Sequence, residues 1–187
     1  AIGRVMNPVV RKGRIFFQKR TALQNQPVLY VKPGLAGTPR PLLDPNTLSA
    51  DATVALDWWS PSNDGTLLAF GTSESGSEIS TLQVLEVDSG ARRPEAIPYC
   101  RAADPSWLSD ASGFYYARYP APGTVPAGEE KYHRRIFFHA LGSDSKNDPL
   151  VFGEGRTRKE DWPDVQVSHD DRWLLASVFQ GWSKSEL

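Results

Sequence analysis

A repeated pattern of strand, turn and strand constrains the fold of this chain more than any other feature. In each copy a short strand ends near a serine, a tight turn containing aspartate follows, and the next strand holds large apolar residues. If Gly65, Gly113 and Arg172 are equivalent positions, the copies lie 48 and 59 residues apart. The longer step contains residues 120–131, a Pro/Gly-rich stretch typical of a surface insertion. The three copies are WSPSNDGTLLAFGT, PSWLSDASGFYYARY and VQVSHDDRWLLASVF.

A second series of hairpins agrees with the first. It consists of LYVKPGLAGTPRPLLDP, LEVDSGARRPEAIP and FHALGSDSKNDPLVF, each of which reads as strand, polar turn and strand. Helical periodicity is nearly absent, and 15 glycines with 15 prolines favour many turns over long helices. A period of roughly 45–50 residues with four strands per unit is typical of the blades of a β-propeller.

The repeat therefore predicts an all-β fold, with residues 1–187 forming part of one β-propeller domain. The predicted unit boundaries, which are 14–46, 54–98, 103–153 and the start of a fourth at 164–179, give about three and a half four-stranded antiparallel blades. Because closed propellers have roughly four to eight blades, we expect an open ring with bare apolar faces on its terminal blades. Both chain ends are expected to be cuts in a longer protein. A β-sandwich is the alternative, since strand spacing alone does not distinguish the two.

Composition and charge exclude several classes of protein. The formal net charge of −1 gives no indication of a nucleic acid or a membrane surface as partner. No apolar run approaches 18 residues, and the first residues lack a signal-peptide pattern. Cys100, the only cysteine, cannot form an intrachain disulfide, which agrees with a reducing, cytoplasmic compartment.

The residues give no catalytic constellation, so we predict no catalytic residue, metal site or cofactor. The segment GTSES (71–75) lacks the second glycine of a nucleophile elbow and leads into a polar loop. The histidines His133, His139 and His169 lack metal-ligand spacing; the first two are expected in strands and the third in a turn. Cys100 has no neighbouring His or Cys motif and is expected to be inert or partly exposed. The six tryptophans are expected to pack between blades rather than form a stacking platform.

Several segments resemble the β-propeller of the prolyl oligopeptidases, serine peptidases that cleave short peptides after proline. They are LQNQPVLYV (23–31), LLDPNTLSADATVAL (42–56), SNDGTLLAFGTSESGSE (62–78), SGFYYARYPAPG (112–123) and GWS (181–183). The resemblance runs in unbroken order over nearly the whole chain. Two segments depart from the family pattern: DAT (51–53) replaces Asp-Gly-Thr, and SGSEI (75–79) replaces Ser-Gly-Ser-Asp-Trp.

The resemblance implies a two-domain parent, in which a seven-bladed propeller covers an α/β-hydrolase domain with a Ser-Asp-His triad. That domain would follow the propeller and lies outside these residues, so this part alone is expected to be inactive. The propeller would limit access to the active site, admitting short proline-containing peptides and excluding folded proteins. One family position that faces the cavity matches Leu68, which is therefore a candidate substrate contact.

Two other functions stay open on the sequence. The chain could belong to a non-enzymatic propeller that binds peptides or proteins, or to another propeller-bearing hydrolase of the dipeptidyl or oligopeptidase kind. The pairing of LQNQ with LLDPN favours the prolyl oligopeptidase reading over the latter.

Overall fold

The described part of the chain, residues 4–51, 53–181 and 184–187 of a computed structural model, forms four antiparallel sheets. The first sheet contains β1 (Arg4–Arg11), β2 (Arg14–Arg20), β3 (Val28–Pro33) and β4 (Arg40–Leu43); the second contains β5 (Val54–Pro61), β6 (Leu67–Glu74), β7 (Thr81–Glu86) and β8 (Arg92–Ile97). The third contains β9 (Ser106–Trp107), β10 (Gly113–Arg118), β11 (Arg135–Ala140) and β12 (Leu150–Phe152); the fourth contains β13 (Trp162–Val167), β14 (Leu174–Phe179) and β15 (Ser185–Glu186). Two 3₁₀ turns lie at Pro45–Thr47 and Ser145–Asn147.

In every sheet the strands pair in chain order, as successive hairpins require. The sheets lie in a ring and form a four-blade, propeller-like arrangement, which confirms the predicted all-β partial propeller over the β-sandwich. Strand β1 was not predicted, and the first predicted unit, 14–46, begins at β2. The reason is local: Asn7 has a left-handed φ of 52° and precedes Pro8, and the pairing with β2 shifts between Met6 and Val9. This irregularity hides the alternation of a strand.

The turns between the first two strands of the second, third and fourth sheets share one geometry. In each, an amide N–H donates to the carbonyl three residues earlier, at 2.9 Å for Gly65, 3.1 Å for Ala111 and 2.9 Å for Asp171. These three residues have positive φ values of 73°, 57° and 58°, a region in which glycine has the least strain. The structural equivalents are therefore Gly65, Ala111 and Asp171, and the predicted alignment of Gly113 and Arg172 with Gly65 was wrong by two residues and by one.

Apolar side chains fill the space between successive sheets. Phe16 and Leu29 of the first sheet pack with Leu68 and Phe70 of the second. The opposite face of the second sheet packs against the third sheet, where Trp107, Phe114 and Tyr116 meet Leu67, Ala69, Leu82, Val84 and Ile97. The other face of the third sheet packs against the fourth, where Ala117 and Ile136 meet Val165. A sheet with neighbours on both sides is thus buried on both faces, as stacked repeats require.

The first strands of the second, third and fourth sheets lie side by side. The Ser60 hydroxyl at the end of β5 donates to the Pro105 carbonyl just before β9, at 3.1 Å. In turn, the Ser106 hydroxyl of β9 accepts from the Val167 N–H of β13, at 2.9 Å. These contacts join β5, β9 and β13 and place them on the inner side of the ring.

Candidate functional site

The inner pocket is a cavity of about 290 Å³ lined by strand residues of the second and fourth sheets and by segments that lead into strands of the third. Second-sheet and fourth-sheet residues can meet only on the inner side of the ring, because the third sheet separates them elsewhere. Its lining includes Trp58, Trp59, Asp104, Arg134, Trp162 and Asp164.

Trp58 is fixed in this pocket by its neighbours. Its indole N–H donates to the Cys100 carbonyl at 3.0 Å, which joins β5 to the segment before β9. The ring lies against Gly71 of β6, where an added Cβ would come within 2.3 Å of the indole. Position 71 therefore requires glycine, and the tryptophan covers the backbone there.

Arg134 is a buried cation beside the inner pocket, with 4% of its surface exposed. It donates to the Arg101 carbonyl at 2.9 Å and to the Ala102 carbonyl at 2.6 Å, and its guanidinium lies 4.2 Å from the centre of the Trp162 ring. Within the described ranges no ion pair includes it, and its Nε has no hydrogen-bond partner. Burial lowers the pKa of this guanidinium. Backbone carbonyls and an aromatic face thus contact the cation directly, and the charge of Asp164 stabilises it without a direct ion pair.

The segment held by Arg134 has strained backbone. Tyr99, Ala102 and Asp104 have φ values of 64°, 45° and 41°, which side chains other than glycine seldom adopt. Asp104 faces the pocket, where desolvation raises its pKa and the charge of Asp164 raises it further. The charge of Arg134 lowers the pKa of Asp104 and partly offsets both causes, so the inner pocket brings one cation together with two carboxylates.

Indole rings beside carboxylates suit a cationic or apolar group of a peptide, by cation–π contact and by charge. No hydroxyl or thiol nucleophile paired with an imidazole occurs among the described residues that line the inner pocket. The arrangement can bind and orient a ligand, and it offers no covalent step.

Leu68, the predicted substrate contact, lies on β6 away from the inner pocket. Its side chain is fully buried between the first and second sheets, in the cluster that contains Phe16 and Phe70. This position gives it a packing role, and a substrate contact there stays a prediction.

The histidines lie apart from one another. His133 Nε2 lies 2.7 Å from a Glu129 carboxylate oxygen, and its φ of 58° places it just before β11 rather than in a strand, which corrects its predicted placement. His139 is in β11 as predicted, buried with Nδ1 3.0 Å from Asp148. His169 is in the predicted turn. No group of three or more His, Cys, Asp or Glu side chains suited to a metal occurs in the part of the chain that the structure describes.

Neither Cys100 nor the segment GTSES (71–75) lies in a catalytic arrangement. The Cys100 thiol is fully buried, and burial raises its pKa to about 12, so the expected inert thiol is the correct alternative and a partly exposed one is wrong. Residues 71–74 belong to β6, Ser75 begins a loop, and no helix follows before β7.

The tryptophans follow the packing prediction only in part. Trp107 donates from its indole N–H to the Ser60 carbonyl at 3.2 Å and so joins the second and third sheets, as Trp58 does. Trp173, in contrast, is 70% exposed and lies just before β14 of the fourth sheet. Trp182 and the rest of GWS beyond Gly181 lie outside the described residues, as does Ala52 of DAT.

The sequence did not indicate that the residues of the inner pocket lie together. Arg134 stands in a run of basic residues, and Asp104 and Asp164 lie 60 residues apart, so no spacing connects them. A usable signal was the position of aromatic residues, since Trp58 and Trp162 both belong to the first strand of a blade.

Sheets that pack face to face around joined inner strands define a β-propeller. The family model for the prolyl oligopeptidase N-terminal β-propeller domain matches residues 3–187. The chain is 32% identical to a prolyl endopeptidase of Elizabethkingia meningoseptica over 95% of this chain and 25% of that protein, and 32% identical to prolyl oligopeptidase A of Galerina marginata over 77% and 22%. A solved prolyl endopeptidase structure superposes with a TM-score of 0.89 at 31% identity over 98% of this chain and 27% of that one.

The chain belongs to the prolyl oligopeptidase family, as part of the N-terminal β-propeller domain. This confirms the resemblance that the sequence indicated. The chain spans about a quarter of the length of the curated relatives it matches. The helices in the described ranges, each three residues long, are too short to cross a membrane.

Proposed function

We propose that this chain is the gating part of a prolyl oligopeptidase-type serine peptidase that hydrolyses short peptides after proline. The observation that carries the proposal is the inner pocket: side chains from three blades line one cavity of about 290 Å³, and they provide binding groups without a nucleophile and base. A cavity of this size has room for a few residues of an extended peptide and none for a folded protein. Membership of the family supplies the reaction.

The proposal assigns the chemistry to a domain outside these residues. An α/β-hydrolase domain of the same parent chain would carry the Ser-Asp-His triad and would be the main partner of this propeller part. Residues 1–187 alone would then be inactive. Cleavage of a chromogenic peptide ending in proline should require the full-length polypeptide, and equal cleavage by residues 1–187 would overturn this assignment.

Gating is tested by substrate size. We expect the full-length enzyme to cleave a short proline peptide and to spare the same bond inside a folded protein, because a folded protein does not fit the inner pocket. The hydrolase domain without its propeller should lose this selectivity while keeping activity toward the short peptide. If the full-length enzyme and the isolated hydrolase domain cleave the folded protein and the short peptide in the same ratio, gating is contradicted and the peptidase assignment stays intact.

The two alternative functions give different results. For a non-enzymatic binding module, the intact mass of the natural product would match 187 residues, and no cleavage would occur. For another propeller-bearing hydrolase, replacing proline by alanine at the cleaved position would leave kcat/KM unchanged. We expect a mass several times larger and a strong preference for proline.

Two further parts of the proposal have weaker support. Leu68 as a substrate contact is tested by Leu68→Met, which keeps most of the apolar volume; a raised KM at unchanged stability would support contact. A cytoplasmic location has one support, the free and buried Cys100. Fractionation of the source cells tests it, and recovery outside the cytoplasm would contradict it.

A further inference from the structure

The cavity between the second and third sheets is much larger than the inner pocket, at about 750 Å³. We call it the interblade cavity. One wall is formed by Ala96 and Pro98 at the end of the second sheet, and the other by Arg118, Arg135 and Phe137 on β10 and β11. It lies where the apolar core between these sheets ends, and the 119–134 segment covers one side.

Two arginines stand side by side in this cavity. Arg118 of β10 and Arg135 of β11 are direct partners in the antiparallel pairing, so their side chains leave the same face of the third sheet. Like charges directly opposite each other destabilise a sheet. The ion pairs found in the described ranges include neither residue. The protein therefore carries an uncompensated charge pair at a concave surface.

The surroundings hold this charge in place without neutralising it. The Arg118 guanidinium lies 4.1 Å from the centre of the Phe137 ring and donates to the Ser145 carbonyl at 3.2 Å. Lys146 adds a third cation to the lining. Asp144 is the one carboxylate among the described lining residues, and its Oδ1 accepts from the Lys146 backbone N–H at 3.0 Å. The cavity is thus basic, although the chain has a net charge of −1.

We propose that the interblade cavity binds a peptide through a carboxylate held by Arg118 and Arg135. Guanidinium groups match the planar, two-oxygen geometry of a carboxylate, and two of them together would be neutralised in part by one such ligand. The apolar wall at Pro98 and Phe137 gives room for a neighbouring apolar side chain of the peptide. The inference rests on the proposed function only in taking a peptide as the source of the carboxylate.

The test is calorimetric titration of the full-length polypeptide with N-acetyl-Phe-Ala-Ala, as the free acid and as the C-terminal amide. Neither probe contains proline, so binding does not depend on cleavage. We expect the acid to bind at least about tenfold more tightly than the amide, as a hydrogen-bonded charge implies. Arg135→Gln should remove this preference. The matched control, Arg172→Gln on an exposed turn of the fourth sheet, should keep it.

Thermal melting separates a ligand site from a structural role. Because Arg135→Gln relieves a like-charge contact, its melting temperature should equal or exceed that of the parent protein. A clearly lower melting temperature, or equal binding of acid and amide, would overturn the proposal. Tight binding of inorganic phosphate without a preference for the acid would also overturn it and indicate a small free oxyanion. If the acid binds as expected while no proline peptide is cleaved, only the proposed function fails.

Discussion

Strands β6 and β14 occupy equivalent places, as the second strand of their sheets, and both begin with Leu-Leu-Ala. In β6 all three residues are buried, whereas in β14 they are partly or largely exposed, with Leu175 at 45%. The local sequence is the same and the environment differs. Burial in this fold is thus a property of the neighbouring sheet rather than of the strand.

The difference follows the alternation of side chains along a strand. In β6, Leu67 and Ala69 face the third sheet, and Leu68 and Phe70 face the first. In β14, Leu174 and Ala176 pack toward the third sheet, while the other face, with Leu175 and Phe179, has no covering sheet among the described residues. A blade contributes to stability in proportion to how many of its faces are covered.

The largest expected effect is the difference in the free energy of unfolding that is lost in Leu68→Ala and in Leu175→Ala. Leu68→Ala should lower the free energy of unfolding by about 2–5 kcal/mol, because it leaves a cavity between two sheets. Leu175→Ala, on the uncovered face of β14, should cost about 1 kcal/mol or less, because its side chain is half exposed. Urea unfolding of residues 1–187 measures both. Similar losses would mean that the fourth sheet is covered in solution and would break the comparison.

A buried polar network in the third sheet extends the comparison to hydrogen bonds. The Tyr116 hydroxyl donates to Asp148 at 2.8 Å, and His139 Nδ1 lies 3.0 Å from the same carboxylate. Burial is the main cause that raises the pKa of Tyr116. Asp148→Ala leaves buried polar groups unpaired and should cost about 3 kcal/mol.

The matched change on the fourth sheet is Asp170→Ala. Asp170 accepts from the Ser168 hydroxyl at 2.6 Å in an exposed turn, so its loss should cost about 1 kcal/mol or less. Urea midpoints at pH 7 compare the two variants. An Asp148→Ala protein as stable as Asp170→Ala would show that water satisfies the buried network.

The uncovered face should also govern association. We expect residues 1–187 to self-associate through Trp173, Leu175 and Phe179, which share the exposed side of the fourth sheet. Leu175→Lys should lower the light-scattering mass at a given concentration and change stability by no more than about 0.5 kcal/mol. Lys12→Gln, at an exposed turn of the first sheet, serves as control. A parent chain that is monomeric across a dilution series would contradict this expectation.

The sequence predicted what repeats and missed what does not. The all-β partial propeller with its antiparallel hairpins followed from periodicity, because each unit must present the same apolar faces to its neighbours. Strand β1 was missed because Pro8 interrupts its alternation. The inner pocket was missed because Trp58, Arg134 and Asp164 converge only when three blades stack. Long-range convergence leaves no local pattern, whereas turns and strands do.

The smallest expected effect is the pH dependence due to Cys100, the interior thiol with no counterpart on the terminal sheets. Burial raises its pKa from 9.0 to about 12, so the folded protein keeps the thiol neutral while the unfolded chain ionises it. The resulting stability is fully present below pH 9 and is lost as the pH rises from there toward 12. Between pH 8 and pH 9.5 the loss should be somewhat under about 1 kcal/mol. Unfolding curves of the parent and Cys100→Ala isolate it from tyrosine ionisation, which both proteins share. Equal pH slopes in the two proteins would show that the thiol reaches solvent, and that the second and third sheets are less tightly sealed than the comparison requires.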